Sequence, residues 1–266
     1  MLTTSLFCSP AEGKDVLLAV SAPLYSGHGM AMLAVVAIAL FVVLDQSNGQ
    51  DALPRLDTNN EKVKKEIVGL INDLRRNVKP QSQNMLKMRW SEDAATVGDI
   101  WYKQCVFYQP PTKTRSITTN SCGETVYKTN HPISWADVIN TWYNQQENFT
   151  FGIGERFSNA HISHYTQIVW AVSYQVGCQV AYCNTDYMYS CTFCPAGNDY
   201  SRTDTPYEAG EPCQKCPAHC DEGLCTNPCA FEDIYGNCNE LKDACLNDQI
   251  VKAGCKATCK CTTEIK

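Results

Sequence analysis

Between residues 61 and 78 the chain reads EKVKKEIVGLINDLRRNV. Val63, Ile67, Leu70, Ile71 and Leu74 recur at the spacing of an amphipathic helix, with charges on the opposite face. Pro80 has no amide hydrogen with which to continue it. A second helix is predicted to begin at Ser91, a suitable N-cap, with Glu92 and Asp93 at its positive end. It would carry Ala94, Ala95, Trp101 and Cys105 inward. Ser134, with Asp137 three residues on, predicts a third start, placing Trp135, Val138, Ile139 and Trp142 on the apolar side. The period then shortens. Residues 167–172, 175–182 and 187–193 are rich in β-branched and aromatic side chains and broken by short polar turns, which predicts strands. Helices followed by antiparallel strands predict an α+β domain.

The pattern changes again over residues 198–212 (NDYSRTDTPYEAGEP), which carry no aliphatic side chain larger than alanine and read as a linker. Beyond it the apolar content is too low for an independent core. Cysteines take over that role: of 17 in the chain, ten fall between positions 213 and 261. Only Cys8 precedes Cys105, so the remaining 16 form an even set. That density is typical of secreted disulfide scaffolds, in which each bridge adds about 3 kcal/mol by restricting the unfolded chain.

Residues 30–44 form an unbroken apolar run of 15, short for a membrane span. Ser47 and Gly49 follow in a −3/−1 relation, so residues 1–49 are predicted to hold a signal peptide preceded by an extension, with translation starting at Met30 or Met32. Cleavage after Gly49 leaves 21 basic and 25 acidic residues, a net charge of −4, and no stable membrane span. This mildly acidic chain has no electrostatic footprint for nucleic acid. Asn148-Phe149-Thr150 is a glycosylation sequon.

Four stretches carry a resemblance to a known family: Cys122-Gly123-Glu124, His164-Tyr165-Thr166-Gln167-Ile168-Val169-Trp170, Cys194-Pro195-Ala196-Gly197-Asn198, and Gly223-Leu224-Cys225-Thr226-Asn227-Pro228-Cys229. Together they resemble the cysteine-rich secretory proteins, the CAP-superfamily branch with a C-terminal cysteine-rich domain. The resemblance implies a CAP α-β-α sandwich over 58–198, a linker and disulfide hinge over 199–228, and a helical module over 229–261 like the sea-anemone potassium-channel toxins. It also implies the pairing. Three bridges fall in the sandwich, Cys105–Cys183, Cys122–Cys194 and Cys178–Cys191. The hinge pairs Cys213–Cys220 and Cys216–Cys225, and the module pairs Cys229–Cys261, Cys238–Cys255 and Cys245–Cys259. The residues alone leave 15 pairings open for six cysteines.

The family groove holds two histidines and two glutamates able to bind a zinc-like ion. Glu124 and His164 match two of these positions. Gln109 and Gln145 stand at the others, and neutral amides are poor zinc ligands. His161 has no counterpart in the family pattern, and Ser163 stands where an acidic residue or glycine is usual. No cofactor or metal is therefore expected, and no catalysis: the groove is half neutralised, no Gly-x-Ser-x-Gly elbow is present, and the 16 cysteines are committed to bridges. The CxxC pairs at 191–194 and 213–216 read as structural in so cysteine-dense a chain.

What the resemblance implies for function divides by domain. Cysteine-rich modules of this kind regulate ion channels, in venoms and in reproduction, where members act on sperm; CAP domains have been linked to sterol or lipid binding, protein recognition and, for some, proteolysis. Here the module carries a net charge of −1 over 229–261. Its one tyrosine there, Tyr235, adjoins no lysine in sequence, which argues against a basic pore plug. Phe231, Ile234, Tyr235, Leu246 and Ile250 are the expected contacts for an ion channel or cell-surface receptor.

Overall fold

The computed structural model describes residues 53–102, 105, 115–117 and 120–266. The predicted leader and Gln109 lie outside the described residues. Among the described residues no helix is long and apolar enough to cross a membrane.

After a short turn of helix, α1 (Leu53–Leu56), Asn60 caps α2 (Glu61–Arg76) by accepting the Lys62 amide at 2.9 Å. Val63, Ile67 and Ile71 enter the core, and Leu70 and Leu74 pack at its edge. The opposite face is not uniformly solvated, because Lys64 and Arg75 are also buried. Lys64 reaches Glu61 and Glu92. Ser91 accepts the Ala94 amide at 3.2 Å and starts α3 (Glu92–Tyr102). Ala94 is buried as expected, but Cys105 is exposed: it sits past the helix end at φ 54°, turned out toward Cys183. Ser134 caps α4 (Trp135–Tyr143), accepting the Asp137 amide at 3.1 Å while its hydroxyl donates to the Asp137 carboxylate at 2.6 Å. Trp135, Val138, Ile139 and Trp142 are all buried.

The main sheet orders its strands β1 (Arg89–Trp90), β5 (Gln175–Cys183), β6 (Asp186–Cys194), β2 (Gly123–Thr129). β1 runs parallel to β5; the other pairs are antiparallel. The small hairpin β3 (Phe149–Thr150) and β4 (Gly154–Glu155) stands apart. α3 covers one face of the sheet, where Gly177 lets the helix backbone approach: a Cβ there would lie 2.0 Å from the Ala95 nitrogen. The other face, with Val176, Tyr189 and Phe193, packs on α2 and α4. This is an α-β-α sandwich.

Two expectations need correction. Residues 167–172 form no strand; they are the end of α5 (Ser163–Ile168) and the loop after it. That loop is held by Arg75. Its guanidinium donates six hydrogen bonds of 2.7–3.1 Å to the carbonyls of Leu86, Ile168, Trp170, Ala171 and Ser173. The sequence pattern does not predict β2, because at its start Glu124 and Thr125 are both buried although polar, which hides the usual alternation.

Residues 198–212 lie along the sandwich as a strap. Pro206 accepts the Ala171 amide, Glu208 the Gln83 amide, and Tyr207 is buried 4.8 Å from the Phe151 ring. A two-residue hairpin, β7 (Cys220–Asp221) and β8 (Leu224–Cys225), follows. The last segment folds as a 3-10 stretch (Cys238–Leu246), then α6 (Gln249–Gly254), capped by Asp248, and α7 (Lys256–Lys260). Disulfides join Cys105–Cys183, Cys122–Cys194, Cys178–Cys191, Cys213–Cys220, Cys216–Cys225, Cys229–Cys261, Cys238–Cys255 and Cys245–Cys259, the same pairs that the resemblance implies.

Candidate functional site

Three elements bring the groove residues together: β2 carries Glu124, the first turn of α5 carries His164, and the 3-10 turn after α4 (Asn144–Asn148) carries Gln145. α5 is pinned from outside the groove. Thr166 donates to Asn198 at 2.6 Å, Asn198 donates to the Ser163 carbonyl at 2.8 Å, and Gln167 accepts the Gly197 amide at 3.0 Å. The segments around 164–170 and 194–198 thus lock each other, a structural task.

Gln145 acts as a clamp. Its Oε1 accepts the amides of His164 (2.9 Å) and Tyr165 (3.4 Å), which fixes the carboxamide orientation and turns Nε2 toward His164 Nδ1 at 3.1 Å. Nδ1 must therefore accept, and the ring proton resides on Nε2. Burial, and then the neighbouring His161, push His164 down to about 4, so the imidazole is neutral at physiological pH. Trp142 presents an edge contact at 6.1 Å.

Glu124 is 5% exposed. Burial pushes its carboxyl up to about 7, against the opposing pull of Arg115, at 3.9 Å, and a hydrogen bond from Tyr102. Tyr102 in turn bonds Ser190, which accepts from Gln179 at 3.0 Å. Arg115 and Tyr102 were missed by sequence reasoning. They come from a loop and a helix end, and no spacing ties either of them to β2.

These donors do not fit a zinc-like ion. The one strong ligand atom of Gln145 is taken by two amides, both nitrogens of His164 are engaged or protonated, and His161 is exposed. Among the described residues, the one grouping of three potential ligands is Cys213, Cys216 and Cys225, whose sulfurs are already in disulfides.

The sequon places Asn148 half-buried at the end of the 3-10 turn, with its Nδ2 donating to the His161 carbonyl at 3.3 Å. In the C-terminal module Ile234, Leu246 and Ile250 are 72%, 81% and 70% exposed, and Phe231 and Tyr235 are also exposed. Lys260 lies 4.4 Å over the Phe231 ring, a lysine–aromatic pair invisible in the linear sequence.

Comparison with known proteins places these features. Residues 68–193 match the family model "CAP: Cysteine-rich secretory protein family" and residues 213–266 the model "Crisp". Cysteine-rich secretory protein 2 of Cavia porcellus is 43% identical over 244 residues, which cover 89% of this chain and 100% of that protein. Its Homo sapiens counterpart is 41% identical over 243 residues, with the same coverage. Among solved structures, Na-ASP-1 aligns with a TM-score of 0.54 at 24% identity, covering 62% of this chain and 47% of that one. NaASP2 with Zn2+ aligns with a TM-score of 0.53 at 25% identity, covering 63% of this chain and 96% of that one. The structural matches establish the sandwich fold, and the two relatives, matched over their whole length, show that the chain belongs to the cysteine-rich secretory protein family.

Proposed function

We propose that this protein is a secreted, glycosylated, non-enzymatic regulator that binds an ion channel or cell-surface receptor through its C-terminal module, in reproduction (sperm function) or as a venom component. The observation that carries the reading is the exposure of Ile234, Leu246 and Ile250 on a module held by three disulfides. Such a surface loses little flexibility on contact and removes apolar area from water when covered. Eight disulfides favour an oxidising compartment. Gln145, whose Oε1 is taken by two backbone amides, and the buried, neutral His164 do not suit metal chemistry. Two clefts, of ≈ 880 Å³ and ≈ 640 Å³, mix apolar side chains such as Phe231, Trp90 and Val180 with charged and amide ones such as Arg202, Glu208, Asp99 and Gln179, so their lining does not by itself favour the sterol or lipid reading.

The test compares the full chain with a Leu246→Asp/Ile250→Asp variant on calcium flux in sperm and in muscle cells. Both positions are exposed, so folding should be unaffected. The expected outcome is a flux change with the parent that is lost with the variant; equal potency of the two would refute a role for this surface.

A further inference from the structure

The hinge holds two disulfides, Cys213–Cys220 and Cys216–Cys225, and its geometry also brings the cysteines of a second pairing close together. The sulfurs of Cys213, Cys216 and Cys225 all lie within 4.8 Å of one another, although Cys213 is bonded to neither of the other two. Cys220 and Cys225, also unbonded to each other, are direct cross-strand partners in β7 and β8. Opposed residues of an antiparallel pair point to the same face at Cα separations that a disulfide can span. The turn between them has positive φ at both Glu222 (51°) and Gly223 (82°), the two-residue geometry that sets hairpin register without help from sulfur.

We propose that the hinge is a thiol–disulfide exchange site at which a low-molecular-weight thiol switches it between two isomers. Cys220 is exposed, whereas Cys213, Cys216 and Cys225 are buried, so the entering thiolate attacks the Cys220 sulfur. The Cys213–Cys220 bond breaks, a mixed disulfide forms on Cys220, and Cys213 leaves as a thiolate. Cys213 then attacks Cys216, forming Cys213–Cys216 and expelling the Cys225 thiolate. Cys225 attacks the mixed disulfide across the ribbon, forming Cys220–Cys225 and releasing the thiolate that entered. Two disulfides remain and the thiol is returned, so no net oxidant or reductant is consumed.

Backbone bonds keep the pieces in place during exchange. Cys225 is held between Met85 and Lys87 (2.7 and 2.8 Å), and the 213–216 turn by the Cys216 and Lys215 amides (2.9 and 3.1 Å). Cys213 sits at φ 62°, a left-handed conformation that side chains disfavour, which primes this end for change. The consequence is topological. In the observed pairing both bonds staple the 213–216 turn to the ribbon; in the isomer neither does. Cys216 and Cys225 pack with Leu86, Tyr174 and Ile265, where the chain's end meets the sandwich, so exchange loosens that seat.

The test incubates the full chain with reduced glutathione, quenches with acid and N-ethylmaleimide, and maps disulfides by tandem mass spectrometry with fragmentation between Cys216 and Cys220. The expected result is loss of the Cys213–Cys220 and Cys216–Cys225 links, with a matching thiol-dependent gain of Cys213–Cys216 and Cys220–Cys225, while the other six bridges persist. An unchanged hinge, or hinge cysteines that become glutathionylated or alkylated without the new links, overturns the proposal.

Discussion

Arg75 offers the sharpest test of how the sandwich is held. It is 1% exposed, and among the described residues its hydrogen bonds go to carbonyl oxygens and to no carboxylate. Burial draws the guanidinium down to about 9, so it remains cationic at neutral pH. Of its five acceptors, Trp170 also accepts from Ser173 and Ala171 also accepts from Leu86. The carbonyls of Leu86, Ile168 and Ser173 have Arg75 as their donor. Arg75→Met fills similar volume and strands those three. At about 1–3 kcal/mol for each orphaned acceptor the loss is roughly 3–9 kcal/mol, offset by the several kcal/mol no longer needed to desolvate a charge. The expected net destabilisation is about 2–5 kcal/mol. Urea unfolding with disulfides intact measures it as a shift in midpoint at constant slope. Arg75→Lys, with three donors on one nitrogen, should recover only part of the loss. A change below about 0.5 kcal/mol for Arg75→Met would falsify the view that this cation organises the loop after α5, since that is the scatter of neutral surface substitutions.

Other outcomes follow from the groove and the sheet. Glu124, raised to about 7 from 4.5, binds more protons folded than unfolded, so its stabilisation is full below about pH 4.5 and is lost as pH rises to about 7. His164, lowered to about 4 from 6.5, has the opposite sign: its contribution is present above about pH 6.5 and is lost as pH falls toward 4. Glu124→Gln should therefore melt higher than the parent at pH 8 and show a steeper rise in stability from pH 4.5 to 6.5; parallel melting profiles would contradict the burial of this carboxyl. Gly177→Ala drives a Cβ to 2.0 Å from the Ala95 nitrogen and should destabilise by about 3 kcal/mol in the same urea assay. Expression in secreting cells should yield a chain whose mass falls on treatment with an N-glycosidase, and Asn148→Gln should abolish that shift.

Much of this protein was legible in its sequence wherever neighbours along the chain decide the outcome. The α2 face of Val63, Ile67 and Ile71, the Ser134 cap, and strands β5 and β6 follow from local period and capping chemistry. The cysteine frame was legible through family resemblance, not through spacing. The groove was legible in half: Glu124, His164 and Gln145 could be nominated, while Arg115 and Tyr102 could not. What remained hidden depends on groups far apart in sequence. The apolar run at 167–172 suited a strand as well as a buried loop, and the choice rests on Arg75, which supplies carbonyl partners from nearly a hundred residues away. Lys260 meets Phe231 because the Cys229–Cys261 bond folds the module's ends together. Periodicity could say which side chains leave water; only the tertiary structure decided which buried charge met which carbonyl, because hydrogen bonds are satisfied in space and not along the chain.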